Sequence, residues 1–148
     1  MTTIRIATEQ DIPACSSLLG ELFAQEHEFT PDTTAQKTGL GMIIGNPSVG
    51  TMFVCEKKGA IIGMVSLLTT VSTALGRKVA LLEDMVVNPG HRNEGIGSML
   101  MEFATDWAKQ QGFGRITLLT DADNRQAHRF YTSQGFTVSE MIAFRKML

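Results

Sequence analysis

Apolar positions along the chain change period several times, and the changes mark out the elements. Ile4 and Ile6 alternate with polar neighbours, as expected of a first strand. Capping residues at 8–11 then open a helix to about Phe23, with Ile12, Cys15, Leu19, Leu22 and Phe23 on one stripe. Residues 24–32 are polar apart from Phe29 and read as a loop. A second helix, 34–44, is weakened by Gly39 and Gly41 and ends at Gly45-Asn46-Pro47. Runs 51–56 and 60–72 read as strands around the turn Lys57-Lys58-Gly59, and a further strand, 79–87, follows the turn at 74–78. The strongest helical stripe is Ile96, Leu100, Phe103, Ala104 and Trp107, which predicts a helix over 96–111 stopped by Gly112. A strand over 115–120, a helix over 124–134 and a closing strand pair over 136–147 complete the order. Strand–helix–strand in the middle implies a parallel pair with a right-handed crossover.

Composition narrows the class. With 148 residues, 43% hydrophobic and 19% charged, the chain has the size and apolar content of one domain over 1–148. A net charge of −2 gives no basic excess for nucleic acid. No run approaches the roughly 20 apolar residues of a membrane span, and no targeting segment is visible at the start. A soluble, cytoplasmic protein without nucleic-acid or membrane partners is therefore expected. Cys15 and Cys55 lie far apart in apolar stretches and read as core filling. The histidines have no metal-ligand partner at fixed spacing, so no metal is expected.

The chemistry concentrates in residues 83–98. A strand runs into a turn and then into a helix whose first turn carries Gly95 and Gly97. A helix start leaves backbone N–H groups without partners and concentrates positive dipole there, which suits a pyrophosphate. Arg92 could add charge-assisted contacts. The dinucleotide fingerprint needs a third glycine, which is missing after Gly97, and no Gly-Lys-Ser/Thr is present for a P-loop. On this physics alone, a structural turn and a phosphate site remain equally open.

Two motifs together decide more. Arg92-x-x-Gly95-x-Gly97, preceded by Val86-Val87-Asn88-Pro89, resembles the acetyl-CoA signature of the GNAT N-acetyltransferase superfamily. Downstream, Asn124-x-x-Ala127-x-x-Phe130-Tyr131-x-x-x-Gly135-Phe136 is similar to that family's next helix and strand. The resemblance implies an α/β (α+β) domain with a mixed twisted sheet of about 6–7 strands, about 4 flanking helices, and a parallel pair splayed at the cofactor site. It implies acetyl-CoA as cosubstrate, with backbone groups of Met85, Val86 and Val87 along the pantetheine arm. Arg92, Asn93, Glu94, Gly95, Ile96, Gly97 and Ser98 would surround the pyrophosphate. Asn124 would contact the cofactor or the reacting centre.

Amide formation from an amine needs a proton acceptor for the ammonium and a proton donor for the departing thiolate, because an alkyl ammonium has a pKa of about 10.4. Glu83 is the candidate base; alternation sets it on the face of Met85 and Val87, with Asp84 opposite unless a bulge re-aims the strand. Tyr131, the only tyrosine, matches the family's general acid. The amide of Met85 would polarise the carbonyl. For the acceptor, Glu26, Glu28 and Asp84 would favour a cationic small molecule, and His27 stands among them. The Glu83-Asp84 pair is similar to the polyamine-acetylating branch of the family, whereas the helix around 127–131 resembles acetyltransferases of aminoalkylphosphonates. These two point in opposite directions. A small-molecule amine acetyltransferase working by direct attack in a ternary complex is the expectation. A regulatory acyl-CoA-binding module and acetylation of a protein N-terminus or lysine stay open, as does a homodimer.

Overall fold

The computed structural model describes residues 1–26 and 30–148, and the chain divides into two compact units, Met1–Leu118 and Leu119–Leu148. In the first, β1 (Thr2–Ile6) is followed by a 3-10 turn (Glu9–Asp11), α1 (Ile12–Gln25) and α2 (Thr33–Ile44). Then come β2 (Gly50–Lys57), β3 (Ala60–Ser72), β4 (Arg77–Val87), a second 3-10 turn (Pro89–His91), α3 (Ile96–Gln110) and β5 (Ile116–Leu118). The five strands form one mixed sheet in the order β1-β2-β3-β4-β5, antiparallel except for the β4–β5 pair. The second unit contributes α4 (Arg125–Ser133).

Alternation on β2 shows how the sheet is covered on both faces. Met52 and Val54 belong to a buried cluster with Cys15, Leu18 and Leu19 of α1 and Leu40 of α2. Phe53, between them, meets Phe103 and Trp107 of α3 edge-on, with ring centroids 5.7 and 5.4 Å away. Edge-on packing places positive ring edges against negative ring faces. α3 also approaches β3 closely at Gly63. A Cβ there would stand 3.0 Å from Leu100 Cδ1 and 3.1 Å from Ile96 Cγ2, so a larger residue would need these side chains to shift. Both cysteines are buried in this core, and burial pushes the Cys15 thiol up to about 12.

Local chemistry sets the joints. Lys58 and Gly59 both take positive φ (52° and 77°) in the two-residue turn between β2 and β3, the geometry that matches strand twist. Arg5 of β1 holds Asp11 through two bonds of 2.8 and 2.9 Å and reaches Glu56 of β2 at 2.8 Å. The guanidinium keeps the Asp11 carboxyl below its ordinary range. Asp32 caps α2 by accepting from Ala35 N, and Gln36 of α2 donates to Ser16 O of α1 at 2.9 Å.

Two expectations need correction. The sheet has five strands, not six or seven, and the closing pair expected over 136–147 is absent. A period-2 pattern makes a strand only where a neighbouring ladder satisfies its backbone groups. Residues 137–148 join no ladder, and Val138, Met141, Ile142, Phe144 and Met147 are exposed.

Candidate active site

The site is organised by an irregularity in β4. Ser66 of β3 pairs with Glu83 and Met64 with Val86, so one residue of β3, Val65, faces two of β4, Asp84 and Met85. Asp84 takes φ +55°, a left-handed conformation that costs about 1 kcal/mol or more outside glycine, and less for Asp and Asn than for bulky residues. Ser66 Oγ donates to Glu83 O at 3.0 Å and pins the bulge. Strict alternation is therefore broken: Glu83 and Asp84 both line one cavity of about 390 Å³. Leu19 and Phe23 of α1 form its wall, with Leu40 and Ile43 of α2; Thr30 and Asp32 close it between the two helices.

Burial and the neighbouring carboxylates of Glu83 and Glu26 push Asp84 up to about 6. Among the described residues, the charged groups acting on Asp84 are these two carboxylates. Glu83 itself is exposed. Glu26 sits just past the end of α1 and acts on Asp84 through its charge. Glu28 and His27 lie outside the described residues.

On the other edge of β4, pairing with β5 stops at Leu82↔Leu118, so Val86 and Val87 are laddered only on the β3 side and Met85 lies in the bulge before them. The chain then turns through Asn88, whose Oδ1 accepts from Gly90 N at 2.9 Å. Asn93 and Gly95 both adopt left-handed φ (66° and 79°) before α3. Gly95 is the N-cap and brings no side chain to the first-turn amides. A Cβ at Gly95 would meet nothing within 4 Å. With φ at +79°, any residue with a Cβ would be strained at this position. The neighbouring acid is neutralised: Lys57 Nζ bonds Glu94 Oε1 at 2.9 Å, and His91 Nδ1 lies 3.3 Å from Glu94 Oε2. Arg92 is exposed. An uncapped helix start whose nearest carboxylate is paired with Lys57 fits the diphosphate of a coenzyme A.

In the second unit, Asn124 Oδ1 accepts from Ala127 N at 3.1 Å and caps α4, a structural task the sequence motif did not reveal. Tyr131 lies between Phe130 and Phe136, edge-on at 5.3 and 5.8 Å. His128 Nε2 is 2.9 Å from Asp121 O. Among the described residues no cluster of His, Cys, Asp or Glu could hold a metal, and no helix is long and apolar enough to cross a membrane.

The model of the GNAT acetyltransferase family matches residues 14–136. This chain belongs to the GNAT family. It is 33% identical over 136 residues to an uncharacterised N-acetyltransferase of Bacillus subtilis (strain 168), YhfO, covering 90% of this chain and 88% of that one. It is 29% identical to the aminoalkylphosphonate N-acetyltransferase of Salmonella typhimurium, over 92% of this chain and 85% of the relative. Among solved structures it resembles an aminoglycoside N-acetyltransferase, AAC(6')-Iy in complex with CoA, with a TM-score of 0.82. That likeness covers 99% of this chain and 95% of the other, and at 18% identity it speaks for the fold alone. The protein is an acetyltransferase with a mixed five-stranded α/β fold, and enzymes of its family use acetyl-CoA.

Proposed function

We propose that this GNAT enzyme transfers acetyl from acetyl-CoA to the primary amine of a small molecule, by direct attack while both are bound. The observation that carries the reading is the cavity beside β4, with Glu83 and Asp84 at its wall and the unladdered edge of Met85–Val87 on the same strand. Acetyl-CoA supplies a thioester carbonyl open to attack. The backbone groups of Met85, Val86 and Val87 align the pantetheine arm as a strand would be aligned, and the amides from Asn93 to Ser98 take the pyrophosphate, with Arg92 adding charge from outside. We take Asn124 to contact the cofactor or the reacting centre.

Glu83 accepts a proton from the bound ammonium through a water, since the nitrogen must be neutral to attack. As the N–C bond forms and the C–S bond breaks, the Met85 N–H steadies the carbonyl oxygen. The nitrogen releases its second proton to water, and Tyr131 donates one to the departing sulfur and regains its own from solvent. Its phenol has an ordinary pKa of about 10 and remains protonated at neutral pH. Both residues fall inside the range that the family model matches, 14–136, and their roles are carried over from the motif resemblance. We take the whole chain, 1–148, to work as one N-acetyltransferase domain.

Initial-rate thiol release with both substrates varied tests the scheme. Direct transfer predicts intersecting double-reciprocal lines. Parallel lines would mean an acetylated enzyme intermediate and would overturn it.

A further inference from the structure

We infer that the acceptor is an amine carrying one cationic end on an apolar alkyl or arylalkyl body, with no anionic group. The inference rests on the reading of the β4 cavity as the acceptor site and specifies the chemistry that fills it. At about 390 Å³, the cavity lies in the range of small-molecule sites. Leu19, Phe23, Leu40 and Ile43 give it an apolar wall from both helices. Two of its three lining carboxylates, Glu83 and Asp84, are brought side by side by the bulge.

Asp32, the remaining carboxylate at the cavity, is committed to Ala35 N as the cap of α2 and has less to offer a ligand. No Lys, Arg or His lines the cavity among the described residues. Asp84 also feels Glu26 and Glu83, both of its own sign. Among the described residues no cation acts on Asp84 beside this apolar wall, and a ligand ammonium supplies one. The same arrangement repels a carboxylate or phosphonate tail, and the apolar wall offers nothing to the further charges of a polyamine. The chemistry of the cavity thus departs from that named for the aminoalkylphosphonate-acetylating relative.

Two measurements on the intact chain test this. The first compares kcat/KM by thiol release for 2-phenylethylamine, hexylamine, phenylalanine, 1-aminoethylphosphonate and spermidine. The apolar monoamines should exceed each of the others at least tenfold. Asp84→Asn should lower kcat/KM for the monoamines at least tenfold, mainly through KM, and should narrow their advantage over phenylalanine. The second titrates 2-phenylethylamine into the wild type and Asp84→Asn by calorimetry, with thermal melts confirming that both are folded; binding should weaken at least tenfold in the variant. Turnover that favours an anionic amine or spermidine, or that ignores Asp84→Asn, overturns the inference and leaves the acetyltransfer scheme standing. Asp84-dependent binding with no turnover keeps the ligand class and removes the scheme. Absence of both binding and turnover of the monoamines overturns the inference.

Discussion

Asp84 should weaken the fold that it equips. Its carboxyl is raised from 3.8 to about 6 by burial and by the charges of Glu83 and Glu26. The folded state therefore holds this proton more tightly than the unfolded chain. Between about pH 4 and 6 it binds more protons, and stability falls as pH rises through that window. Above it the loss is constant. At 1.36 kcal/mol per pH unit the full displacement corresponds to about 3 kcal/mol. Asp84 is only partly screened from solvent, which reduces this to about 1.5 kcal/mol. Asp84→Asn removes the charge and keeps the shape, and Asn tolerates the positive φ at this position as well as Asp does.

The variant should be more stable than wild type at pH 8 by that amount, raising Tm by about 3–6 °C for a chain of this size. Near pH 4 the two should converge. Thermal and urea unfolding of both proteins across pH 4–8 measures the difference, in which titrating groups that do not act on Asp84 cancel. Parallel pH dependences, or a variant less stable at pH 8, would refute the claim that Asp84 is held among carboxylates without a cation.

Gly95 takes φ +79° at the start of α3, so Gly95→Val should reduce acetyl-CoA affinity at least tenfold in calorimetry; unchanged affinity would remove the α3 start as the pyrophosphate site. Tyr131→Phe should lower kcat by about 10²-fold and leave acetyl-CoA affinity nearly intact, whereas an unchanged rate would exclude it as the acid. Glu83→Gln should abolish the low-pH limb of the kcat/KM profile; a limb that stays in place means another base operates.

Features set by near neighbours in sequence were legible. The start and stop of α3 and the Lys58-Gly59 turn follow from local conformational preference, and the Gly95-x-Gly97 pattern marks the helix start from its own residues. What depends on distant partners was not. The bulge at Asp84 exists because β3 offers one residue against two and Ser66 Oγ fixes Glu83 O; alternation along β4 alone places Asp84 on the wrong face. Glu94 looks like a repulsive charge beside a phosphate site until Lys57, from the far end of β2, neutralises it. Residues 136–147 carry a strand-like pattern, yet a pattern supplies no ladder. The apolar wall beside Glu83 and Asp84 comes from α1 and α2, which share an apolar cluster and the Gln36–Ser16 bond.

Direct product analysis reaches the central claim most simply. Incubation of the protein with acetyl-CoA and 2-phenylethylamine, followed by parallel quantitation of free thiol and N-acetyl product, should give equal amounts of both, with yield suppressed in Glu83→Gln and Tyr131→Phe. Thiol release without N-acetyl product, or equal yields in the wild type and both variants, would contradict acetyl transfer to an amine at this site.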